Sequence, residues 1–150
     1  MKNILVALDL SNATPHVLKQ AQEMGKLTGA KLWLLHAAAP EPDFVGYDIG
    51  PQYVRDARAE TLRQEHRQLE AYAANMTQEG IEATPLLVAG YTGETILAEA
   101  DKHDADLIII GSLGHTVLYE VFIGSACIEI VRHSKRPVMT VPVPSGKGAA

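Results

Sequence analysis

"KNILVALD", residues 2–9, is the stretch that decides the fold of this chain. It is a continuous apolar run that ends in an acid, which is typical of a strand buried on both faces of a parallel sheet. Proline cannot donate to the hydrogen bonds between strands, so the run at 81–90, which contains Pro85, is expected to lie at a sheet edge or to contain a bulge. The four further runs are "KLWLLHAAA" at 31–39, "IEATPLLVAG" at 81–90, "ADLIIIGS" at 105–112 and "RPVMTVPV" at 136–143.

Helical patterns separate the five runs. Apolar residues recur at spacings of three and four over residues 12–28 and 53–79, after Thr92, and from Gly124 to His133. The alternation predicts one doubly wound α/β domain over residues 1–143, with a parallel sheet between helices.

The ends of the helices and the irregular segments carry further expectations. Ser11 or Asn12 can cap the first helix, and Gly80 is placed to end the second. The long loop at 40–52 is either a mobile flap or part of a site. The small polar residues 144–150 are expected to form a disordered tail.

Composition excludes several classes of function. The 150 residues carry a formal net charge of -5, which lacks the positive surface that nucleic-acid binding needs. No apolar run approaches the roughly 20 residues that cross a bilayer, and Asp9 interrupts any signal-peptide pattern. We therefore expect a cytoplasmic protein without membrane insertion. A single cysteine, Cys127, excludes an intramolecular disulfide and is expected to pack in the core.

The glycines at the end of the fourth run bear on ligand binding. In open parallel sheets, ligands bind beyond the carboxyl ends of the strands, where the strand order reverses. Gly111 and Gly114 let the backbone approach a ligand closely, and Gly124 with Ser125 opens a helix whose N–H groups can hold an anion. This arrangement suits a phosphate chain. Ser125 can also cap that helix, which needs no ligand.

The spacing of these residues is specific. Gly111, two residues, Gly114, nine residues, Gly124 and Ser125 resemble the nucleotide-binding motif G-x2-G-x9-G-[S/T] of the universal stress protein family. The chain from Lys2 to Val143 is similar to that fold as a whole, with further resemblance at "LDLS", "LLHAAA" and "KRPVMTVP". The resemblance implies the strand order 3-2-1-4-5 and an adenine-nucleotide binder, usually of ATP, otherwise of ADP or AMP, with Mg or Mn on the phosphates.

The resemblance also implies roles for individual residues, all of them in nucleotide binding and none in catalysis. Asp9 would contact the base or the ribose, and backbone groups at Ala37 would receive the adenine edge. Gly111 would lie against the ribose, and the other residues would surround the phosphates. The complete set is Asp9, Ala37, Gly111, Gly114, His115, Gly124, Ser125 and Ala126.

Residues 115–122 depart from the pattern. His115 and Val117 stand where many members of the family have a basic residue and another glycine. A neutral histidine attracts phosphate less and changes its charge near pH 6.5, so triphosphate affinity is expected to be modest and pH dependent. Glu120 either faces solvent or helps to hold a metal. Tyr119 and Phe122 leave an alternative open, a protein-interaction module of the same fold that works without nucleotide.

Enzyme motifs are absent from the sequence. The absence of a G-x4-G-K-[ST] loop, of a G-x-S-x-G elbow and of an acid at the end of the third run argues against a P-loop NTPase, an α/β-hydrolase and a phosphorylated receiver domain. No general base is identifiable, so any ATP hydrolysis or self-phosphorylation is expected to be slow. His36 is interpreted as a hydrogen-bonded core histidine and residues 55–70 as a solvent face. The family resemblance implies a homodimer through the last strand, residues 137–143, whose apolar edge would otherwise lie bare.

Overall fold

The structure is a computed structural model that describes residues 1–38, 52–112 and 124–143. In these residues five strands alternate with four helices: β1 (Asn3–Ala7), α1 (Thr14–Thr28), β2 (Lys31–Ala38), α2 (Gln52–Gln78), β3 (Ala83–Ala89), α3 (Thr92–Lys102), β4 (Leu107–Gly111), α4 (Ser125–His133) and β5 (Val138–Val141). All paired strands are parallel, in the order β3-β2-β1-β4-β5. The predicted doubly wound sheet and its strand order are confirmed.

Apolar side chains pack on both faces of the sheet because successive residues of a strand point to opposite sides. Helices α1 and α2 cover one face, where Ile4, Leu34 and Ile109 are fully buried. Helices α3 and α4 cover the other face, over Leu5 and Ile108. Burial on both faces explains why the strands read as continuous apolar runs. In the described parts of the chain, no helix is long and apolar enough to cross a bilayer.

The element boundaries confirm two local predictions. Among the described strands, β3 is an edge strand that pairs only with β2, with Pro85 opposite Leu34. Helix α2 ends at Gln78, and Gly80 adopts the left-handed φ of 82° that favours glycine at this position. Of the predicted loop at 40–52 only Gln52 is described, and the tail 144–150 lies outside the described residues.

The predicted cap of α1 is wrong. The helix begins at Thr14 with Ala13 at the N-cap position and without a side-chain cap. Ser11 instead belongs to the preceding turn, because its amide and hydroxyl both donate to Asp9. Leu10, at φ 60°, lets the chain reverse inside that turn. Ser11 also reaches the start of the helix, because its hydroxyl accepts from the Ala13 amide at 3.1 Å and its carbonyl accepts from the Thr14 amide at 3.0 Å.

Candidate functional site

A pocket of about 380 Å³ opens above the carboxyl ends of β1, β2 and β4. Strand β1 pairs with β2 on one side and with β4 on the other, so the strand order reverses here. The volume lies in the range of small-molecule sites, about 300–1,000 Å³. The pocket therefore lies where ligands of open parallel sheets bind.

Most of the predicted site residues meet in this pocket. Its lining includes Asp9, Ala37, Gly111, Gly124 and Ala126. Their proposed contacts with a nucleotide stay predictions.

The other three predicted residues are Ser125, Gly114 and His115. Ser125 is exposed at the start of α4 and is not among the residues that line the pocket. Gly114 and His115 lie outside the described residues, as do Val117, Tyr119, Glu120 and Phe122.

The turn after β1 holds Asp9 at the crevice. The carboxylate oxygen Oδ1 accepts hydrogen bonds from the Ser11 amide at 3.0 Å and from the Ser11 hydroxyl at 2.6 Å. Ala7 pairs with Ile110 in the sheet, so the residues just beyond them, including Asp9 and Gly111, lie at the same edge. Oxygen Oδ2 makes no hydrogen bond to the described residues and remains available to a ligand.

The start of α4 presents backbone donors to the pocket. Gly124 is the N-cap, its carbonyl accepts from the Ile128 amide at 3.1 Å, and no side chain caps the helix. The amides of Ser125 and Ala126 therefore have no acceptor within the helix, and the positive end of the helix dipole points the same way. The predicted capping role of Ser125 is wrong, because Ser125 is already the first helical residue.

The backbone angles at position 124 do not require a glycine. Its φ of -60° and ψ of 147° belong to extended backbone that other residues adopt readily. Its amide donates to the Ser112 carbonyl at 3.0 Å, which ties the start of α4 to the end of β4. Gly124 also lines the pocket, where it presents backbone without a side chain.

Charged residues of α2 also reach the pocket, against the sequence interpretation. Residues 55–70 were expected to face solvent, but Arg58 and Glu65 line the pocket. These two residues share one helical stripe with the buried Leu69 and Met76, since they are spaced by seven, four and seven positions. That spacing was the sequence signal for their inward orientation.

Glu65 forms a pair with His36 of β2. Nδ1 of His36 lies 2.8 Å from the Leu8 carbonyl, and Nε2 contacts a carboxylate oxygen of Glu65. The histidine is hydrogen-bonded as predicted, but it lines the pocket as well. The side chains of His36 and Glu65 are only 15% and 18% exposed.

The partners of His36 define where its protons lie. A carbonyl only accepts, so Nδ1 carries a hydrogen that it donates to Leu8. With Nδ1 donating to Leu8, Nε2 and the Glu65 carboxylate can share a hydrogen bond only if one of them carries a further proton. With that shared proton the pair has no net charge, whichever of the two atoms holds it.

Thr14 places a buried hydroxyl in the pocket lining. The residue is 1% exposed, and Oγ1 has no hydrogen-bond partner within the described residues. Buried polar groups without a partner are uncommon in folded proteins and each calls for an explanation. A ligand in the pocket is a natural partner for this hydroxyl.

Cys127 lines the pocket from α4 and is buried. Burial raises the pKa of its thiol, since desolvation disfavours the thiolate. The prediction that this cysteine packs in the core is confirmed. Among the described residues, no group of three or more His, Cys, Asp or Glu side chains could hold a metal ion.

Comparison with known proteins identifies the family of this chain. Residues 1–142 match the sequence model of the universal stress protein family. The chain belongs to this family. A universal stress protein of Thermus aquaticus, from the 3' region of the QAH/OAS sulfhydrylase gene, is 30% identical over 142 residues, covering 93% of this chain and 98% of the relative.

Solved structures of universal stress proteins share the fold. The MJ0577 protein of Methanocaldococcus jannaschii superposes with a TM-score of 0.82 at 23% identity, covering 97% of this chain and 98% of that protein. A universal stress protein of Archaeoglobus fulgidus, solved in complex with dAMP, gives a TM-score of 0.64 at 22% identity and covers 94% and 98% of the two chains. At these identities the likeness shows the common fold.

Proposed function

We propose that this universal stress protein is a binding module for an adenine nucleotide, ATP or otherwise ADP or AMP, and that occupancy changes its contacts with other proteins. The observation that carries the proposal is the meeting of Asp9, Ala37, Gly111, Gly124 and Ala126 in one pocket at the reversal of strand order. The dAMP complex of the Archaeoglobus fulgidus protein supports an adenine nucleotide as the class of ligand.

The proposed pose follows from the donors and acceptors of the lining. Helix α4 offers unpaired amides and a positive dipole end, which suit phosphate oxygens. Oδ2 of Asp9 can accept a hydrogen bond from a ribose hydroxyl, and the backbone of Ala37 can pair with the base edge. We propose that Mg²⁺ or Mn²⁺ accompanies the phosphates. Such an ion would rely mainly on phosphate oxygens and water, since Mg²⁺ commonly keeps several waters at nucleotide sites.

Turnover is expected to be slow. The resemblance assigns no catalytic residue, and His36, a histidine of the pocket, has both ring nitrogens engaged. Hydrolysis of ATP at the median enzymatic rate of about 10 per second would contradict a binding module.

The first experiment identifies the ligand directly. The protein is purified without added nucleotide and denatured, and any released small molecule is identified by mass spectrometry. Calorimetric titration with ATP and magnesium follows. Co-purified adenine nucleotide or binding near micromolar supports the proposal. A protein that is empty and ignores ATP to millimolar concentration refutes it and favours the interaction module without nucleotide.

The Gly124→Val variant tests the pocket itself. Valine can adopt the backbone angles of Gly124 but adds a side chain beside the proposed phosphate site, so binding is expected to disappear while the circular dichroism spectrum is retained. Arg132→Gln, on the exposed side of the same helix, is the matched control and should bind like the wild type. An unfolded Gly124→Val protein would instead point to a packing role for this glycine.

We further propose a homodimer through β5. This strand is an edge of the sheet and pairs only with β4 among the described strands. The neighbouring helix α4 exposes Ile128 and Val131, which extend the apolar surface beside that edge. An edge of this kind can pair with a second chain. Light scattering that shows only monomer at micromolar concentration would remove the dimer.

A further inference from the structure

Four polar or charged residues of the pocket lining take no part in the nucleotide contacts proposed above. We call this part of the pocket the polar half and define it by Thr14, His36, Arg58 and Glu65, which line the pocket from α1, β2 and α2. Its apolar floor includes Leu8 and Val17, which belong to the core between the sheet and helices α1 and α2. Leu32 and Leu34 point into the same core, and His36 follows them at the spacing of a strand.

Within the described residues, two oxygen atoms of the polar half have no hydrogen-bond partner. The Thr14 hydroxyl is 1% exposed and unpaired among the described residues. Glu65 uses one carboxylate oxygen, Oε2, to contact His36, and its second oxygen, Oε1, makes no hydrogen bond to the described residues. His36 is itself fixed by the Leu8 carbonyl, so the carboxylate is held by a chain of two contacts.

The chemistry of Oε1 is restricted to accepting. If the shared proton lies on His36, Glu65 is a carboxylate, and if it lies on Oε2, Oε1 is a carbonyl oxygen. In either state Oε1 favours an N–H donor and opposes another acceptor. The threonine hydroxyl can donate or accept, so it increases the affinity for a ligand without discriminating between donor and acceptor groups.

We propose that the polar half recognises the base of the nucleotide. Oε1 of Glu65 accepts a hydrogen bond from the exocyclic amine of adenine, and the Thr14 hydroxyl makes a second hydrogen bond to the base. His36 is a positioning residue that aims Glu65. The inference rests on the proposed function, in which the backbone of Ala37, the residue directly after His36, receives the adenine edge. A purine with a 6-oxo group would bring an acceptor to Oε1 and be rejected.

The preference between a 6-amino and a 6-oxo purine shows whether Glu65 or Arg58 contacts the base. Arg58 lines the same half of the pocket, two turns before Glu65 on α2. A guanidinium group only donates, so contact between Arg58 and the base would favour a 6-oxo purine instead. The sign of the preference therefore separates recognition by Glu65 from recognition by Arg58.

The experiment compares ATP with ITP, which differ in the amino and oxo groups at this position. Calorimetric titration of the wild-type protein with magnesium present should give tighter binding of ATP, by about 2- to 10-fold if Glu65 holds the shared proton and by about 10-fold or more if Glu65 is a carboxylate. In Glu65→Gln the side-chain amide can offer either a donor or an acceptor, so the ratio should fall towards one. Glu70→Gln is the matched control, because Glu70 pairs with His66 on the exposed side of α2.

Threonine variants test the second contact. Thr14→Val should weaken ATP binding by about 2- to 10-fold, the range for one neutral hydrogen bond, and Thr14→Ser should restore it. ITP bound as tightly as ATP, or an unchanged ratio in Glu65→Gln, overturns the inference and leaves the proposed function intact. Failure of the wild-type protein to bind either nucleotide overturns both.

Discussion

Replacing Thr14 by valine is expected to stabilise the nucleotide-free protein, although most substitutions of buried residues destabilise. Thr14 is 1% exposed, and its hydroxyl has no partner within the described residues. Burial of such a group without a hydrogen bond costs about 1–3 kcal/mol. Valine keeps the β-branched shape and puts a methyl group in place of the hydroxyl, so the free energy of unfolding should rise by about that amount.

Urea unfolding of nucleotide-free protein measures this change. Ligand must be removed beforehand, because anything that binds only the folded state adds stability by mass action. For a chain of 150 residues, 1–3 kcal/mol corresponds to an increase in Tm of roughly 2–10 °C.

Thr77→Val is the matched control. The Thr77 hydroxyl donates to the Ala73 carbonyl at 3.0 Å inside α2, so valine there removes a hydrogen bond that exists. A loss of about 0.5–1.5 kcal/mol is expected at that position. If Thr14→Val loses stability as Thr77→Val does, the hydroxyl of Thr14 is satisfied within the protein and the reasoning fails.

Three further predictions concern the core, the N-terminus and the pocket. Ile109→Ala should lower the free energy of unfolding by about 2–5 kcal/mol in urea, because Ile109 is fully buried in a central strand; a loss below 1 kcal/mol would contradict this packing. Hydrogen bonds from the amides of Asn3 and Lys2 lower the pKa of Asp106, so its stabilising effect is present above the unfolded pKa near 4 and is lost as the pH falls through the folded value. Asp106→Asn should accordingly be less stable than wild type at pH 7, with a smaller difference at pH 3, and an equal difference at both would refute the assignment. Burial raises the pKa of Cys127, so a thiol reagent should modify native protein far more slowly than protein in urea, and equal rates would show that the thiol is accessible.

The sheet could be predicted from sequence because its determinants are local. Each strand corresponds to an apolar run in the sequence, and Pro85 restricted β3 to a sheet edge or a bulge. The glycine pattern likewise marks the end of β4 and the start of α4, since both features lie within one short stretch of chain.

The polar half of the pocket could not be predicted in the same way. His36 and Glu65 are 29 positions apart, and only the packing of α2 on β2 brings them into contact. Charged residues on a helix normally lie on its solvent face, so residues 55–70 were interpreted as exposed. The helical spacing that places Arg58 and Glu65 on the same face as the buried Leu69 was not given enough weight. The unpaired state of the Thr14 hydroxyl depends on all its neighbours in space and has no counterpart in the sequence.

The central position of β1 has a consequence for the order of assembly. Its partner β4 begins at Leu107, and Asp106 holds the amides of Lys2 and Asn3, more than 100 positions earlier in the chain. During synthesis β1, β2 and β3 therefore leave the ribosome well before the strand that closes the crevice. Contacts of such long range also slow folding, because a long loop must close before they form. If the proposed nucleotide contacts both Asp9 and Gly111, it can bind only after β4 has paired with β1, and its binding then reports that this long-range pairing has formed.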